Sequence, residues 1–272
     1  MVVKFMNVRD ITSALSVEKF NELVGCQIRR SIGLQERLGG GDHLLFFNPK
    51  WEGLCKDGYY RYLSPAAVLG QDIMFKRRLW TQGGMEMREG LKVNAMYECH
   101  ETIKKVRELR GDYFIKIGRE IKDMSGNVAV VEERTLIYTN KPPLAGRKSC
   151  AKELEAAIVI PFIFDDMTIF AYSGLTSNLH RIHWDKEYSM KVEGYRDILV
   201  QGPLTVHVLL RTAELALGKP VKGIRYKNSQ VLYRGSLVDI CIGEVHNGTV
   251  RAWIRDQHAN STIYVDAELT LD

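Results

Sequence analysis

PLTVHVLLRTAELAL, residues 203–217, together with the four apolar runs that follow it, decides the fold. Proline suits the first turn of a helix, where its missing N–H has no intrahelical partner to lose, and Gly218 with Pro220 stops the segment. Leu204, Val208, Leu209, Leu215 and Ala216 are too many for a thin surface stripe. The segment therefore predicts a helix wrapped by other structure. Residues 224–233, 237–244, 250–257 and 262–271 read as strands, with turns at Gly235, at Asn247 with Gly248, and at Asn260. A buried helix ahead of an antiparallel meander is an α+β pattern, one helix rolled in a sheet.

Working outward, the earlier part of the chain echoes this arrangement less cleanly. Residues 11–30 read as an amphipathic helix and glycines 39–41 as a flexible break. Long strands are expected over 93–106, 113–122 and 128–138, with turns at Gly111 and Gly126. The stretch TNKPPLAGRKSCAK, residues 139–152, reads as the boundary between two units, because Pro142 and Pro143 stiffen it and Gly146 loosens it. The expected units are 1–145 and 146–272, with no strong sequence repeat between them. Residues 166–173 read as a short strand or its exit, and 175–188 as a polar loop carrying aromatic residues.

Composition narrows the function classes. At 272 residues, 45% hydrophobic and 26% charged, the chain can bury a core without staples. The net charge of +5 is spread thinly, with no basic stretch of the kind that tracks nucleic acid. Five scattered cysteines (Cys26, Cys55, Cys99, Cys150 and Cys241) and no CxxC pair argue against zinc-ribbon and thioredoxin-type sites and for free thiols. No apolar run approaches the roughly 20 residues of a membrane span. The N-terminal residues lack a signal-peptide core and match a mitochondrial presequence only in part: Lys4 and Arg9 fit, Asp10 and Glu18 do not.

The chemistry is concentrated in YSGLTSNLHRIHWD, residues 172–185, followed by GYRDILVQGPL, residues 194–204. The first stretch crowds Thr176, Asn178, His180, His183 and Asp185 into ten residues. The second places Gly202 at the start of the buried helix, where an unpartnered N–H and the positive end of the helix dipole suit a carbonyl acquiring negative charge. A nearby histidine can move a proton on the adjacent carbon. Neither Ser173 nor Thr176 lies in a G-x-S-x-G elbow, which argues against a hydrolase triad. His207 reads as a packed core residue. His43, His100, His246 and His258 have nothing specific around them.

These stretches resemble the hydratase motif of the MaoC-like hot-dog family, Ser-Gly-Asp-x-Asn-Pro-x-His. With its terminal histidine on His183, Asn178 stands in the usual aspartate slot, His180 in the asparagine slot and Arg181 in the proline slot. The ending N-x-H-R-I-H-W-D, then E-G-Y and Q-G-P-L, is similar to a branch holding fungal mitochondrial 3-hydroxyacyl-thioester dehydratases and mesaconyl-CoA hydratase-like enzymes. RRLWTQGG, residues 77–84, resembles that branch's Arg-Arg-Met-Trp-x-Gly-Gly segment.

The resemblance implies a double hot dog, two antiparallel sheets each wrapped around a central helix. It also implies reversible dehydration of (3R)-3-hydroxyacyl thioesters to trans-2-enoyl thioesters in mitochondrial type II fatty-acid synthesis. His183 would take the α-proton and return it to the leaving oxygen, Asn178 would hold that oxygen, and the Gly202 N–H would hold the thioester oxygen. Substrate contacts are expected from His180, Arg181, Gln201 and Trp80, with His180 equally readable as ordering its loop. No cofactor or metal is expected. Expected partners are an acyl-CoA or acyl-carrier-protein thioester, the carrier protein itself, and a second copy in a homodimer. The N-terminal half would be catalytically degenerate and widened into an acyl tunnel. The basic residues 76–78, Lys104, Lys105, Arg107 and Arg110 read as solvated surface, or as a landing site for a phosphopantetheine phosphate or an acidic carrier. Rival readings are a branched or dicarboxylic enoyl-CoA hydratase, a thioesterase, and a non-catalytic acyl-binding subunit.

Overall fold

The computed structural model of the protein describes residues 5–48, 53–70, 73–143 and 154–272. The expected boundary between residues 145 and 146, and Cys150, lie outside them. Helix α5 (Gly202–Leu217) has proline in its first turn and ends on Gly218, whose left-handed φ of 62° closes the last turn onto the Glu214 carbonyl. All ten residues from Leu204 to Ala213 are buried. The helix packs on β2 (Arg77–Met87), β7 (Val221–Asn228), β8 (Ser236–Ile242) and β9 (Thr249–Asp256). A helix apolar on most sides is thus enclosed, with His207 and Arg211 its buried polar exceptions beside Thr205 and Thr212.

Ten strands form one antiparallel sheet in the order β1-β3-β4-β5-β2-β7-β10-β9-β8-β6. The remaining members are β1 (Phe5–Ile11), β3 (Met96–Leu109), β4 (Asp112–Asp123), β5 (Val128–Thr139), β6 (Ile158–Phe164) and β10 (Ile263–Leu271). Each five-strand half repeats one topology, in which the first strand takes an edge and the second takes the seam where β2 pairs with β7. Gly83 sits opposite Tyr226 at that seam. A Cβ there would lie 2.4 Å from the Glu133 carbonyl oxygen and 2.5 Å from the Tyr226 hydroxyl, so only glycine lets the halves close.

Several expectations are corrected. Residues 166–173 are helical: α3 (Asp166–Thr176) starts where the Asp165 carboxylate accepts the Thr168 N–H at 2.8 Å. Residues 175–188 hold the end of that helix, a 3₁₀ turn (Arg181–His183) and the start of α4 (Lys186–Lys191). The N-terminal helix, α1 (Ala14–Ile28), is preceded by β1, which the sequence reading missed. The strand expected over 224–233 stops at Asn228, leaving a loop before β8.

Residues 39–41 are a pinned turn. The N–H of Gly39 donates to Asp42 at 2.8 Å and that of Gly40 to Glu214 at 2.9 Å. Asp42 also holds His207 at 2.9 Å and pairs with Arg211, both on α5. His43 is likewise no bystander, being 2% exposed with Nε2 3.6 Å from Glu132.

The halves differ in their helices. Apart from α1, the described residues between β1 and β2 hold only 3₁₀ turns and the five-residue α2 (Pro65–Leu69). Helix α1 packs against α3 and β6. At 15 residues α1 is nearly as long as α5, but the sheet strand it packs on, β6, belongs to the C-terminal half.

Candidate active site

A cavity of about 410 Å³ opens at the start of α5. His180, His183, Asn178, Thr176 and Gly202 line it from the C-terminal half; Tyr59, Tyr60, Trp80, Arg119 and Arg134 line it from the N-terminal half. Helix α3 carries the chain to Thr176, and Ser177 breaks it with a left-handed φ of 51°. The following 3₁₀ turn aims both histidines inward.

His183 is 9% exposed, and its Nδ1 lies 2.9 Å from the Leu199 carbonyl oxygen. A carbonyl only accepts, so Nδ1 carries the hydrogen and Nε2 keeps a lone pair for a ligand. Leu199 also donates its own N–H to the Ile182 carbonyl at 3.0 Å. The segment that orients the imidazole runs directly into Gln201 and Gly202. Burial, and secondarily the adjacent His180, push His183 down to about 3, against the opposing pull of the Leu199 bond. At neutral pH the ring is an uncharged base.

The same burial has a consequence for stability. His207, stacked on Phe20 at 3.6 Å, is pushed down to about 4 by burial despite its bond to Asp42. Unfolded histidines titrate near 6.5, so between that pH and the folded values the unfolded chain binds more protons. Stability present above pH 6.5 is therefore lost as pH falls through that window. The urea midpoint should drop steadily on acidification below about pH 6.5, with a shallower slope in His183→Gln. A wild-type midpoint constant down to pH 4 contradicts both assignments.

Gly202 opens α5. Gln201 offers no capping side chain, and Pro203 has no N–H. The tip thus presents the Gly202 N–H to the cavity, beyond reach of any intrahelical acceptor. A Cβ on Gly202 would lie 3.1 Å from Asn228 Nδ2 and 3.3 Å from Trp80 Cβ, so the wall is closed around a bare backbone. Trp80 gives its indole N–H to the Tyr226 hydroxyl at 2.6 Å and carries the Arg134 guanidinium 4.4 Å from its ring.

The N-terminal half contributes directly. At Gly58, with φ +80°, a Cβ would sit 1.9 Å from the Leu179 carbonyl oxygen, so the turn around Asp57 presses on the loop that carries the two histidines. The Asp57 carbonyl accepts the Arg181 N–H at 2.8 Å.

Not every expected residue reaches the cavity. Arg181 pairs with Asp185 at 2.7 Å and stacks on Tyr188, and neither it nor Gln201 lines the cavity. Gln201 is fully buried, and its Nε2 donates to Ile169 and Ser173 of α3, at 2.9 and 2.8 Å. Its amide ties the two helices together. Asn178 lines the cavity while its Oδ1 accepts the His180 N–H at 3.3 Å. Asp185 caps α4 and stays apart from the histidines. Glu193, to which the sequence assigns no role, is 2% exposed, with Oε1 3.3 Å from His180 Nε2.

Residues 41–234 match the family model described as hydroxyacyl-thioester dehydratase type 2. The mitochondrial hydroxyacyl-thioester dehydratase type 2 of Saccharomyces cerevisiae is 34% identical over 274 residues, 96% of each chain. The protein of that name in Schizosaccharomyces pombe is 28% identical over 76% of this chain and 78% of its own. Among solved structures, a MaoC-like dehydratase from Phytophthora capsici matches with a TM-score of 0.76 and 12% identity, over 100% of this chain and 95% of the other. The last of these supports the double hot dog as a fold.

Proposed function

The chain belongs to the hydroxyacyl-thioester dehydratase type 2 family, and from that premise we propose that His183 Nε2 removes the α-proton of a (3R)-3-hydroxyacyl thioester. The protein is a mitochondrial hydro-lyase of thioester substrates. The observation carrying the reading is the pairing of a neutral, oriented imidazole with a bare helix N-terminus on one cavity wall. As the α-proton leaves, negative charge gathers on the thioester oxygen. The Gly202 N–H, aided by the α5 dipole, is placed to receive it, a contribution of about 3 kcal/mol where such donors have been removed. Asn178 can hold the 3-hydroxyl but cannot take a proton at neutral pH. Trp80, with its N–H engaged by Tyr226, offers ring surface to the acyl group.

The division at 145/146 is proposed as two hot-dog halves, of which only the second keeps the catalytic histidines. The first, whose long helix α1 packs against α3 and β6 of the second, leaves room for the acyl chain on its side of the cavity. Acyl carrier protein is the proposed carrier. A homodimer is the proposed assembly, for which Met167 and Phe170, 70% and 66% exposed on α3, offer an apolar surface.

The test is loss of ultraviolet absorbance as trans-2-enoyl thioesters are hydrated, with free thiol followed in parallel. Hydration without thiol release is expected. Thiol release as the main product would make the site a thioesterase.

A further inference from the structure

We propose that His180, held in place by Glu193, is the acid that protonates the departing 3-hydroxyl, so that two histidines divide the reaction between them. This rests on the reading of His183 as the base. Asn178 stands in the slot where the motif usually has aspartate, and an amide cannot supply a proton to the leaving oxygen. The leaving oxygen needs another source.

His180 is 3% exposed and lines the cavity beside His183, with ring centroids 5.5 Å apart and planes at 90°. Its Nε2 faces the buried Glu193 at 3.3 Å and Asp57 at 4.0 Å, which leaves Nδ1 as the nitrogen able to reach a ligand. The two carboxylates are counter-charges for an imidazolium. Tyr59 packs edge-on against the ring at 5.4 Å, with the Arg78 guanidinium 3.7 Å beyond it and 3.5 Å from Asp57. Burial, and secondarily the adjacent His180, push His183 down to about 3, which suits His183 to the base role and leaves the acid role to its neighbour.

A second observation supports exchange of protons here rather than a static ion pair. A chamber of about 20 Å³ behind the pair is ringed by Asp57, Arg77, Arg78, His180 and Glu193. Around it Glu193 Oε2, Arg77 Nε, and Arg78 Nε and Nη1 are buried with no hydrogen-bond partner among the described residues. Spare buried donors and acceptors call for a functional reason, which a closed structural network does not need.

The step balances. His183 Nε2 takes the α-proton, and the C–H electron pair becomes the C2–C3 double bond. The C3–O bond breaks, its pair stays on oxygen, and that oxygen takes the Nδ1 proton of His180 and leaves as water. His183 ends protonated and His180 neutral. One proton passed between the rings, directly through a ligand or by way of solvent, restores the starting state.

The test compares elimination of water from a 3-hydroxyacyl-CoA with elimination of chloride from the matching 3-chloroacyl-CoA. Chloride leaves without a proton but still requires α-proton removal. His180→Gln should lower kcat for water loss by about 10²–10⁴-fold with little change in KM. Its loss on the chloro substrate should be at least about tenfold smaller. Glu193→Gln, nearly isosteric, should show the same selectivity more weakly and stands in if His180→Gln does not fold. His183→Ala should lose both reactions; if it keeps them, the base assignment fails, and that outcome is distinct. Equal losses on the two substrates in folded His180→Gln or Glu193→Gln, or water elimination within about threefold of wild type, overturn the proposal.

Discussion

Replacing His183 with alanine is expected to lower kcat for both hydration and dehydration by about 10²–10⁴-fold, the usual contribution of a positioned acid–base group. The effect should fall on kcat rather than KM, because the imidazole acts on the proton in flight, while the thioester is held by the cavity walls. Among the described residues the ring makes one hydrogen bond, to the Leu199 carbonyl, and that segment stays anchored through the Leu199 N–H to Ile182. The fold should therefore survive. The removed ring is also a buried group with a depressed proton affinity, so the variant should resist acid better than the wild type. Steady-state rates on one enoyl thioester, with a melting curve on the same preparation, check both statements. A variant retaining more than a tenth of wild-type kcat would remove His183 from the chemistry.

The largest stability effect is expected at Glu132, far from any reacting atom. Its carboxylate is fully buried, accepts from Arg119 at 3.1 Å and from Arg134 at 2.8 and 2.7 Å, and lies near His43. Burial alone pushes such a group up, but the two guanidinium charges outweigh it and hold Glu132 well below the usual carboxylate range. Arg119 reaches a second carboxylate, Glu101, at 3.2 Å, whereas Arg134 depends largely on Glu132. Glu132→Ala leaves cationic charge buried without its main partner, which costs about 3–5 kcal/mol. Glu133→Ala, one residue on, removes an exposed pair with Lys116 at 2.7 Å and should cost no more than about 1 kcal/mol. Urea unfolding of both variants separates the two cases. Equal shifts in midpoint would mean that the buried network contributes no more than a surface pair. Because Arg119 and Arg134 also line the cavity, partial activity in folded Glu132→Ala would report how far this network shapes the acyl side.

The legible parts of the fold are those where one pattern acts alone. Helix α5 carries both of its stop signals in the sequence, and its excess of apolar residues has one solution, burial. The meander after it alternates cleanly between turn residues. Helix α3 was misread because Met167 and Phe170 are exposed yet apolar. They fill the gaps in the helical stripe, so a periodic pattern looks like a continuous strand-like run. Strand β1 escaped notice because it is an edge strand pairing only with β3, and several of its residues face solvent. In β5, Glu132, Glu133 and Arg134 look like a solvated charge run, but the two-residue period of a strand turns the first and third inward.

In the site, motif and neighbourhood diverge where the chain turns. The placement of His183 and Gly202 on the cavity follows from local sequence: a histidine in a constrained loop, a glycine opening a helix. Arg181 shares the loop but leaves on the other side, drawn by Asp185 four residues on. Gln201 adjoins Gly202 yet points into α3, since successive residues at a helix start diverge by roughly 100°. Glu193 meets His180 only because α4 folds thirteen residues back on themselves. No spacing rule in the sequence announces that contact.

The central claim is that a neutral His183 exchanges a proton with the α-carbon of a thioester. Hydration of a trans-2-enoyl thioester in D₂O, with the product examined by NMR, tests it most directly. The account predicts one deuterium at C2, on the same face as the new 3-hydroxyl, in the wild type and essentially no product with His183→Ala. A labelled product formed at the wild-type rate by the variant, or release of thiol in place of hydration, would contradict it.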